Sequence, residues 1–318
     1  MRPLVSFVIP VKDDALRLCR CLTSIRGNDY PRSLIEIIVV DNNSTDGSGR
    51  AAREHGAVVL QAAGHSVAEL RNRGARAALG SIIAFADSDH EIDGAWVSTA
   101  VDVLSNPEVA ATGSAYLTQP SPNWVQQSYD GLRARPLARQ DVSWLGSGNF
   151  AVKRAPFERV GGFNAALTAC EDVDLCNRLR LCGHRIVADP NLRSVHFGDP
   201  ATLRALFYGE LWRGRDNLRV TFSGPLTMQS VRSAIVPMAD LAAFAAAAIA
   251  LLAGHPLLAL LCGSAALLPA AIRAARMLRN RTATISNAMQ AMAVAVVFDL
   301  ARAFALLARG SHHARRSA

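Results

Sequence analysis

The sequence predicts an α/β fold, a mainly parallel sheet with helices on both faces, followed by a C-terminal all-α membrane region. Three observations predict it. Short apolar runs alternate with helix-length amphipathic segments through the first half of the chain. The runs are apolar at nearly every position, as strands covered on both faces must be. From residue 234 onward the composition shifts to long stretches of Ala, Leu, Val and Met.

Taken in order, Val5–Val11 (VSFVIPV) is a β-branched run that reads as the first strand, and a helix follows from Asp14 to about Ile25. IEIIVV, residues 35–40, apolar but for Glu36, is a strand that runs into the polar loop DNNSTDGS. A helix through Gly49–His55 and a short strand at Ala57–Leu60 come next. Ser66–Leu79 places Val67, Leu70, Gly74, Ala75 and Ala78 on one side of a helix, with Gly80 as its stop. Ser81–Ala86 is another strand and Trp96–Leu104 another helix. Ligands of such sheets sit beyond the carboxyl ends of the strands. Two polar clusters fall there, Asp41 after IEIIVV and Asp87/Asp89 after SIIAFA.

Composition narrows the function classes. The chain has 318 residues, half of them apolar, which excludes a disordered protein. Its formal net charge of +8 suits nucleic acid, anionic lipid or phosphate-bearing ligands. No basic-and-aromatic RNA-binding pattern or helix-turn-helix is legible, so nucleic acid is not an expected partner. The six cysteines form no CxxC pair and have no His at zinc-finger spacing, and read as reduced thiols facing a cytosol. The first residues, MRPLVSFVIPV, read as a strand and not as a signal peptide.

Asp87, Asp89, Glu91 and Asp93 crowd four carboxylates into seven positions. Alternate residues of an extended segment project to one side, so Asp87 and Asp89 can converge on a hard cation. Mg²⁺ or Mn²⁺, which shares its ligands with substrate phosphates, suits such a partial cage; a solvated acidic turn is the alternative. An EF-hand does not fit, because Ile92 stands where Gly is needed and Ser98 where the bidentate Glu belongs. Asp41 sits where a base edge or ribose is recognised, or where a loop is capped. Arg71, in AELRNRG, offers bidentate contacts to phosphate or a carbonyl edge, or is a solvated helix arginine.

VSFVIPVKD, VVDNNSTDGS, ELRNRGARAALG and IIAFADSD, in this order, resemble the nucleotide-diphospho-sugar half of family 2 glycosyltransferases, which have the Rossmann-like GT-A fold. The resemblance covers roughly residues 4–220. It implies that Asp41 accepts a hydrogen bond from the nucleobase and that Arg71 contacts base or phosphates. Asp87 would face ribose and metal, Asp89 would ligate the metal bridging the diphosphate, and Pro10 and Val11 would shape the base pocket through their backbone. Leu70 departs from the Ala that many relatives have before the Arg-Asn pair.

The stretch 146–186, GSGNFAVKRAPFERVGGFNAALTACEDVDLCNRLRLCGHRI, resembles the second signature of the family, in which Glu-Asp precedes a helix. Displacement of a nucleoside diphosphate by a hydroxyl needs a base on the face opposite the leaving group. A carboxylate at a helix start is expected to stay ionised in the helix dipole, and equally to cap the helix. The resemblance makes Asp172 the base, with Glu171 positioning the acceptor or the loop, and makes His196 a metal or diphosphate contact. Processive synthases of the family carry Q-x-x-R-W near FYGELWRGRDNLR, which this chain lacks. Arg213 and Arg215 would there neutralise the diphosphate while Trp212 stacks on the acceptor; a membrane-proximal helix with interfacial Trp and Arg is the alternative. The family implies inversion. No GxSxG or HExxH suggests hydrolysis, and the first strand lacks the glycine-rich loop of a sugar nucleotidyltransferase.

Segments 234–253 and 256–272 read as a transmembrane hairpin, the second of marginal length. Arg232 before it and Arg273, Arg276, Arg279 and Arg281 after it place both flanks in the cytoplasm. Residues 285–308 contain Asp299 and Arg302 and precede a basic tail, so an interfacial helix is preferred to a third span. The expected organisation is a GT-A domain over 1–228, divided into a nucleotide-sugar half (4–110) and an acceptor half (111–228), and membrane-associated helices over 229–318. The expected function is metal-dependent, inverting transfer from a nucleotide-diphospho-sugar to a hydroxyl. The acceptor would be lipid-linked or a saccharide, at the inner membrane with the catalytic domain facing the cytoplasm. A processive polysaccharide synthase and a non-catalytic sugar-nucleotide-binding module are the alternatives.

Overall fold

A computed structural model describes residues 2–133, 135–226, 228–279, 282 and 284–307, with the side chains of residues 229 and 230 excepted. Arg281 and the basic tail from residue 308, which enter the orientation reading, lie outside the described residues. The chain forms two compact units, Met1–Gln119 with Ala134–Gly198, and Pro120–Arg133 with Asp199–Ala318.

In the first unit, β1 (Val5–Val11), β2 (Ile35–Asp41), β3 (Val58–Gln61) and β4 (Ile82–Ala86) pair in parallel. Helices α1 (Ala15–Arg26), α2 (Ser48–Glu54) and α3 (Val67–Ala77) are their crossovers. Then come β5 (His90–Ile92), α4 (Trp96–Leu104), β6 (Val109–Gly113), β7 (Leu117–Thr118) and α5 (Trp124–Asp130), the last of which belongs to the second unit. The first unit resumes with β8 (Gln140–Asp141), β9 (Asn149–Lys153), α6 (Arg154–Arg159), α7 (Glu171–Leu181), β10 (Arg185–Ala188) and β11 (Ser194–His196). Among the described residues the main sheet runs β3-β2-β1-β4-β9-β6-β10-β8, and a small sheet runs β5-β11-β7. β9 is antiparallel to both β4 and β6, so the mainly parallel sheet carries an inserted reversed strand beside the DSD segment.

Alternation along β1 supplies both cores. Phe7 and Ile9 pack with Leu18, Leu22 and Trp96 on one face, and Val8 packs with Ile38, Phe85 and Phe150 on the other. Each such side chain contributes about 1.5–3 kcal/mol by leaving water. α3 is shorter than the periodicity predicts. It ends at Ala77, and Leu79 is exposed. Gly80 is less a helix stop than a close approach, since a Cβ there would lie 2.6 Å from the Leu4 carbonyl oxygen.

The second unit holds α5, α8 (Leu203–Arg213), α9 (Asn217–Ser223), α10 (Met228–Leu252), α11 (Pro256–Met277) and α12 (Ile285–Ala305). It takes in segments that the composition places in the acceptor half. The composition change marks where the chain turns apolar, whereas the packing boundary follows contacts. Ala291, Val294 and Ala295 of α12 pack with Val125 and Tyr129 of α5 and Leu206 of α8. Glu210, almost fully buried, accepts from the Tyr129 hydroxyl at 2.7 Å and pairs with Arg302 at 2.8 Å. α10 from Val231, α11 and α12 are each long and apolar enough to cross a membrane, by length and composition, and fit membrane attachment. The charges that count against crossing by the third segment are paired within this unit, Asp299 with Arg273 at 2.7 Å and Arg302 with Glu210.

Candidate functional site

The carboxyl ends of β1 and β2 are joined by a network of short polar side chains. Asp41, 3% exposed, accepts the Ser44 N–H at 2.8 Å and the Gln61 side-chain amide at 3.1 Å. Across the gap, the Asp13 N–H donates to Ser44 Oγ, the Ala15 N–H to Asp46, and the Thr45 N–H to Asp13. Pro10 pairs with Val40 and Val11 with Asp41 in register, and the Val11 carbonyl accepts the Asn42 N–H at 2.9 Å. DNNSTDGS therefore folds as a hydrogen-bonded wall. Two of the roughly four acceptor positions of the Asp41 carboxylate are used in building it, which leaves capacity for a donor from a ligand.

The DSD segment divides its two aspartates. Asp89 turns toward His196, whose Nε2 lies 3.3 Å away, and Arg17 stands 3.8 Å off on the other side. Burial pushes the Asp89 carboxyl up, but the His196 hydrogen bond and the charges of His196, His90 and Arg17 outweigh it and hold the group at about 2. β5 pairs antiparallel with β11 so that His90 lies opposite His196, with ring centroids 4.8 Å apart. Ser194 Oγ, 3.0 Å from His90 Nδ1, orients that ring, and Tyr116 packs against both imidazoles. Donor atoms of Asp89, His90 and His196 all lie within 4.8 Å of one another.

One carboxylate and two imidazoles fit a divalent cation of the Mn²⁺ kind; Mg²⁺ favours oxygen donors. Two glycines keep the space open. A Cβ on Gly148 would lie 2.6 Å from Asp87 Oδ2 and 3.1 Å from His90 Nε2, and one on Gly198 would collide with Asp89. Both Asp89 and His196, expected as ligands, belong to this cluster. His90 is a member that sequence reasoning missed, although it follows DSD directly; the signal that picks it out is its register with His196, which the sequence does not print. Asp87, expected on the metal beside Asp89, accepts a hydrogen bond from Arg71 at its Oδ1 at 2.7 Å and lies outside this cluster. Residues 87–89 precede the strand and do not hold the alternation that would aim both carboxylates alike.

Arg71 is 3% exposed and spends its two terminal nitrogens on protein carboxylates, Asp87 and Glu171, each at 2.7 Å. The guanidinium thereby forms an internal bridge from α3 to the DSD segment and to the first residue of α7. Next to Glu171, Asp172 sits at the start of α7, half-buried, its Oδ1 accepting its neighbour's Val173 N–H at 2.8 Å. The helix dipole is not the dominant influence on this group. Burial, with the Glu171 carboxylate adding, pushes Asp172 up to about 7 against the opposing Val173 N–H and Arg71 charge.

Trp212, Arg213 and Arg215 belong to the second unit. Trp212 is 42% exposed, and Arg213 pairs with Glu210 at 2.9 Å.

Residues 6–161 match Glycosyl transferase family 2. Glycosyltransferase AglE of Haloferax volcanii is 26% identical over 209 residues, which is 62% of this chain and 68% of that protein. Pre-mycofactocin glycosyltransferase of Mycobacterium tuberculosis is 30% identical over 205 residues, 60% of this chain and 42% of that protein. The solved structure of mannosyltransferase PcManGT from Pyrobaculum calidifontis, in complex with GDP-Man and Mn²⁺, superposes with a TM-score of 0.60 at 20% identity. That superposition covers 93% of this chain and 86% of the mannosyltransferase, and shows the GT-A fold. With its four ordered motifs, its sheet and these matches, residues 6–161 form a glycosyl transferase family 2 domain.

Proposed function

We propose that this glycosyltransferase moves a sugar, with inversion, from a nucleotide-diphospho-sugar to a hydroxyl acceptor. A divalent cation, Mn²⁺ or Mg²⁺, would be held by Asp89, His196 and His90. Bound there, the cation would supply charge to stabilise the leaving diphosphate. Pro10, Val11 and Asp41 would line the base pocket, and Asp87, fixed by Arg71, would present its second oxygen to the ribose. Asp172 would take the acceptor's hydroxyl proton as the acceptor oxygen bonds to the anomeric carbon and the bond to the diphosphate breaks. One in-line displacement inverts the centre and needs no enzyme nucleophile. Glu171, held by Arg71, would position the loop that carries Asp172.

The observation that carries this reading is the Arg71 bridge, which ties Glu171, next to Asp172, to the DSD segment that leads into the Asp89, His90 and His196 cluster; burial raises the Asp172 carboxyl. A general base works best with its pKa near the operating pH. The GDP-Man and Mn²⁺ bound by PcManGT support donor and metal class. Arg213 and Arg215 as diphosphate contacts and Trp212 as an acceptor contact remain part of the proposal. The apolar helices support a lipid-linked or saccharide acceptor met at a membrane. Arg232, Arg273, Arg276 and Arg279, flanking α10 and α11, support an inner membrane with a cytoplasmic catalytic unit.

The test is a panel of UDP-, GDP- and dTDP-sugars with the detergent-solubilised chain, each with Mn²⁺ and with EDTA, alongside Asp89→Ala. Metal-dependent binding or turnover of one donor, lost in Asp89→Ala, is expected. Engagement of none would leave the fold and sink the transferase reading.

A further inference from the structure

Arg71 has a neighbour on α3 that grips the loop before α7. Asn72 is buried on α3, and its side-chain amide makes two hydrogen bonds to one backbone residue. The Phe163 N–H donates to Asn72 Oδ1 at 2.9 Å, and Asn72 Nδ2 donates to the Phe163 carbonyl at 2.8 Å. The amide thus pairs with the loop as a strand neighbour would. Gly162 makes the approach feasible. It has φ +71, a conformation that L side chains avoid, and a Cβ there would lie 2.7 Å from Asn72 Oδ1.

Phe163 is held through its ring as well. It packs edge-on to Phe85 with centroids 5.0 Å apart and lies under the Arg71 guanidinium at 5.6 Å. From Phe163 the chain runs to Glu171, where Arg71 takes hold again at 2.7 Å. Two consecutive residues of one helix therefore fasten both ends of the 163–171 loop, and Asp172 is the next residue along. The helix is a firm base, because Gly74 lets α3 sit directly on β1 and β2; a Cβ there would lie 3.0 Å from Val40 and collide with Val8.

We propose that Asn72 is a positioning residue for the transfer reaction: with Arg71 it clamps the 163–171 loop to α3, and so fixes where Asp172 meets the acceptor hydroxyl. The proposal rests on Asp172 being the base. It separates the Arg-Asn pair into two tasks, Arg71 joining the loop's far end to the donor-side aspartate, Asn72 locking its near end by backbone. The tip between the anchors, where Ala165 and Ala166 are exposed, is left to vary without moving Asp172.

The test compares the full chain with Asn72→Ala and Asn72→Asp by hydrogen–deuterium exchange of the 162–170 amides. Binding of UDP, GDP and dTDP with Mn²⁺, and steady-state kinetics on the donor found, accompany it. Exchange over 162–170 is expected to rise about tenfold or more in Asn72→Ala, as loss of two hydrogen bonds implies. Asn72→Asp keeps an acceptor for the Phe163 N–H and should rise less. Nucleotide affinity should stay within about twofold, while kcat falls about 10–100-fold at unchanged donor KM. Unchanged exchange overturns the clamp. Faster exchange with kcat intact, or a loss confined to nucleotide affinity, overturns its role in positioning. If Asn72→Ala does not fold, Gly162→Ala strains the same clamp from the loop side and is read the same way. A wild-type chain that turns over no donor refutes the transferase reading instead, and the exchange measurement still decides whether Asn72 holds the loop.

Discussion

Arg71→Met tests the bridge at the centre of the site. The substitution keeps most of the buried stem and removes the guanidinium that Asp87 and Glu171 share. The two partners do not weigh equally. The Glu171 side chain is 9% exposed and that of Asp87 is 37% exposed. Water screens Asp87, so its share is about 0–1 kcal/mol. Glu171 is left as a buried carboxylate with its cation gone, and breaking such a pair from one side costs about 3–5 kcal/mol. The second figure dominates. For a unit of this size it corresponds to a fall in Tm of roughly 6–20 °C.

The assay is urea denaturation at constant slope, so that a lower midpoint reads as lost stability and not as a changed unfolded state. Arg71→Met/Glu171→Gln is the informative control, since it removes the stranded charge and should recover more than half of the loss. A cost below about 1 kcal/mol, within the range of an exposed pair, would refute the reasoning. A double variant no better than the single one would refute it equally. Where Arg71→Met still turns over, its pH profile carries a second check. The Arg71 charge holds Asp172 down, so its removal should move the acid limb to higher pH.

With Asp172 pushed up to about 7, it is protonated below that pH and ionised above it. kcat/KM should therefore rise through pH 7 with one ionisation, and Asp172→Asn should flatten that limb and lower kcat by about 10²–10⁴-fold. EDTA should abolish turnover and Mn²⁺ restore it better than Mg²⁺, while His196→Ala or His90→Gln weakens Mn²⁺ binding read by electron paramagnetic resonance. In the second unit, Glu210→Ala removes a buried carboxylate shared by Arg302, Arg213 and Tyr129. A loss of about 3 kcal/mol in thermal unfolding is expected there, against little change for Arg204→Ala on the exposed face of α8.

The strands most legible in the sequence are those buried on both faces. β4 is an unbroken apolar run, β1 and β2 are broken only by Ser6 and Glu36, and the pattern places each to within a residue. The order of the motifs placed Asp41, Asp87 and Asp89 at strand ends for the same reason. β9 was not legible as a reversed strand between β4 and β6, because its partners lie about forty and more residues away in the chain and its own pattern has no direction. His90 escaped for a related reason. It becomes a neighbour of His196 only through the register of β5 on β11, a pairing that spans a hundred residues.

Asp172 is the case in which a correct local rule is outweighed by surroundings that the local sequence does not contain. At the first turn of α7 the helix dipole does favour an anion, by about 0.3–1 kcal/mol. Against it stand burial and the Glu171 carboxylate, which together carry the group from an ordinary 3.8 to about 7. A change of that size exceeds what one helix terminus supplies, since each pKa unit is about 1.4 kcal/mol. The dipole is written in local sequence. The burial, and the Arg71 charge and Ser147 backbone contact that oppose its effect, come from elsewhere in the chain. Family 2 chemistry needs a base that can both release and accept a proton near neutral pH. An aspartate at a helix start would be too acidic for that in water, and the packing around α7 raises Asp172 in the direction that its proposed role as base requires.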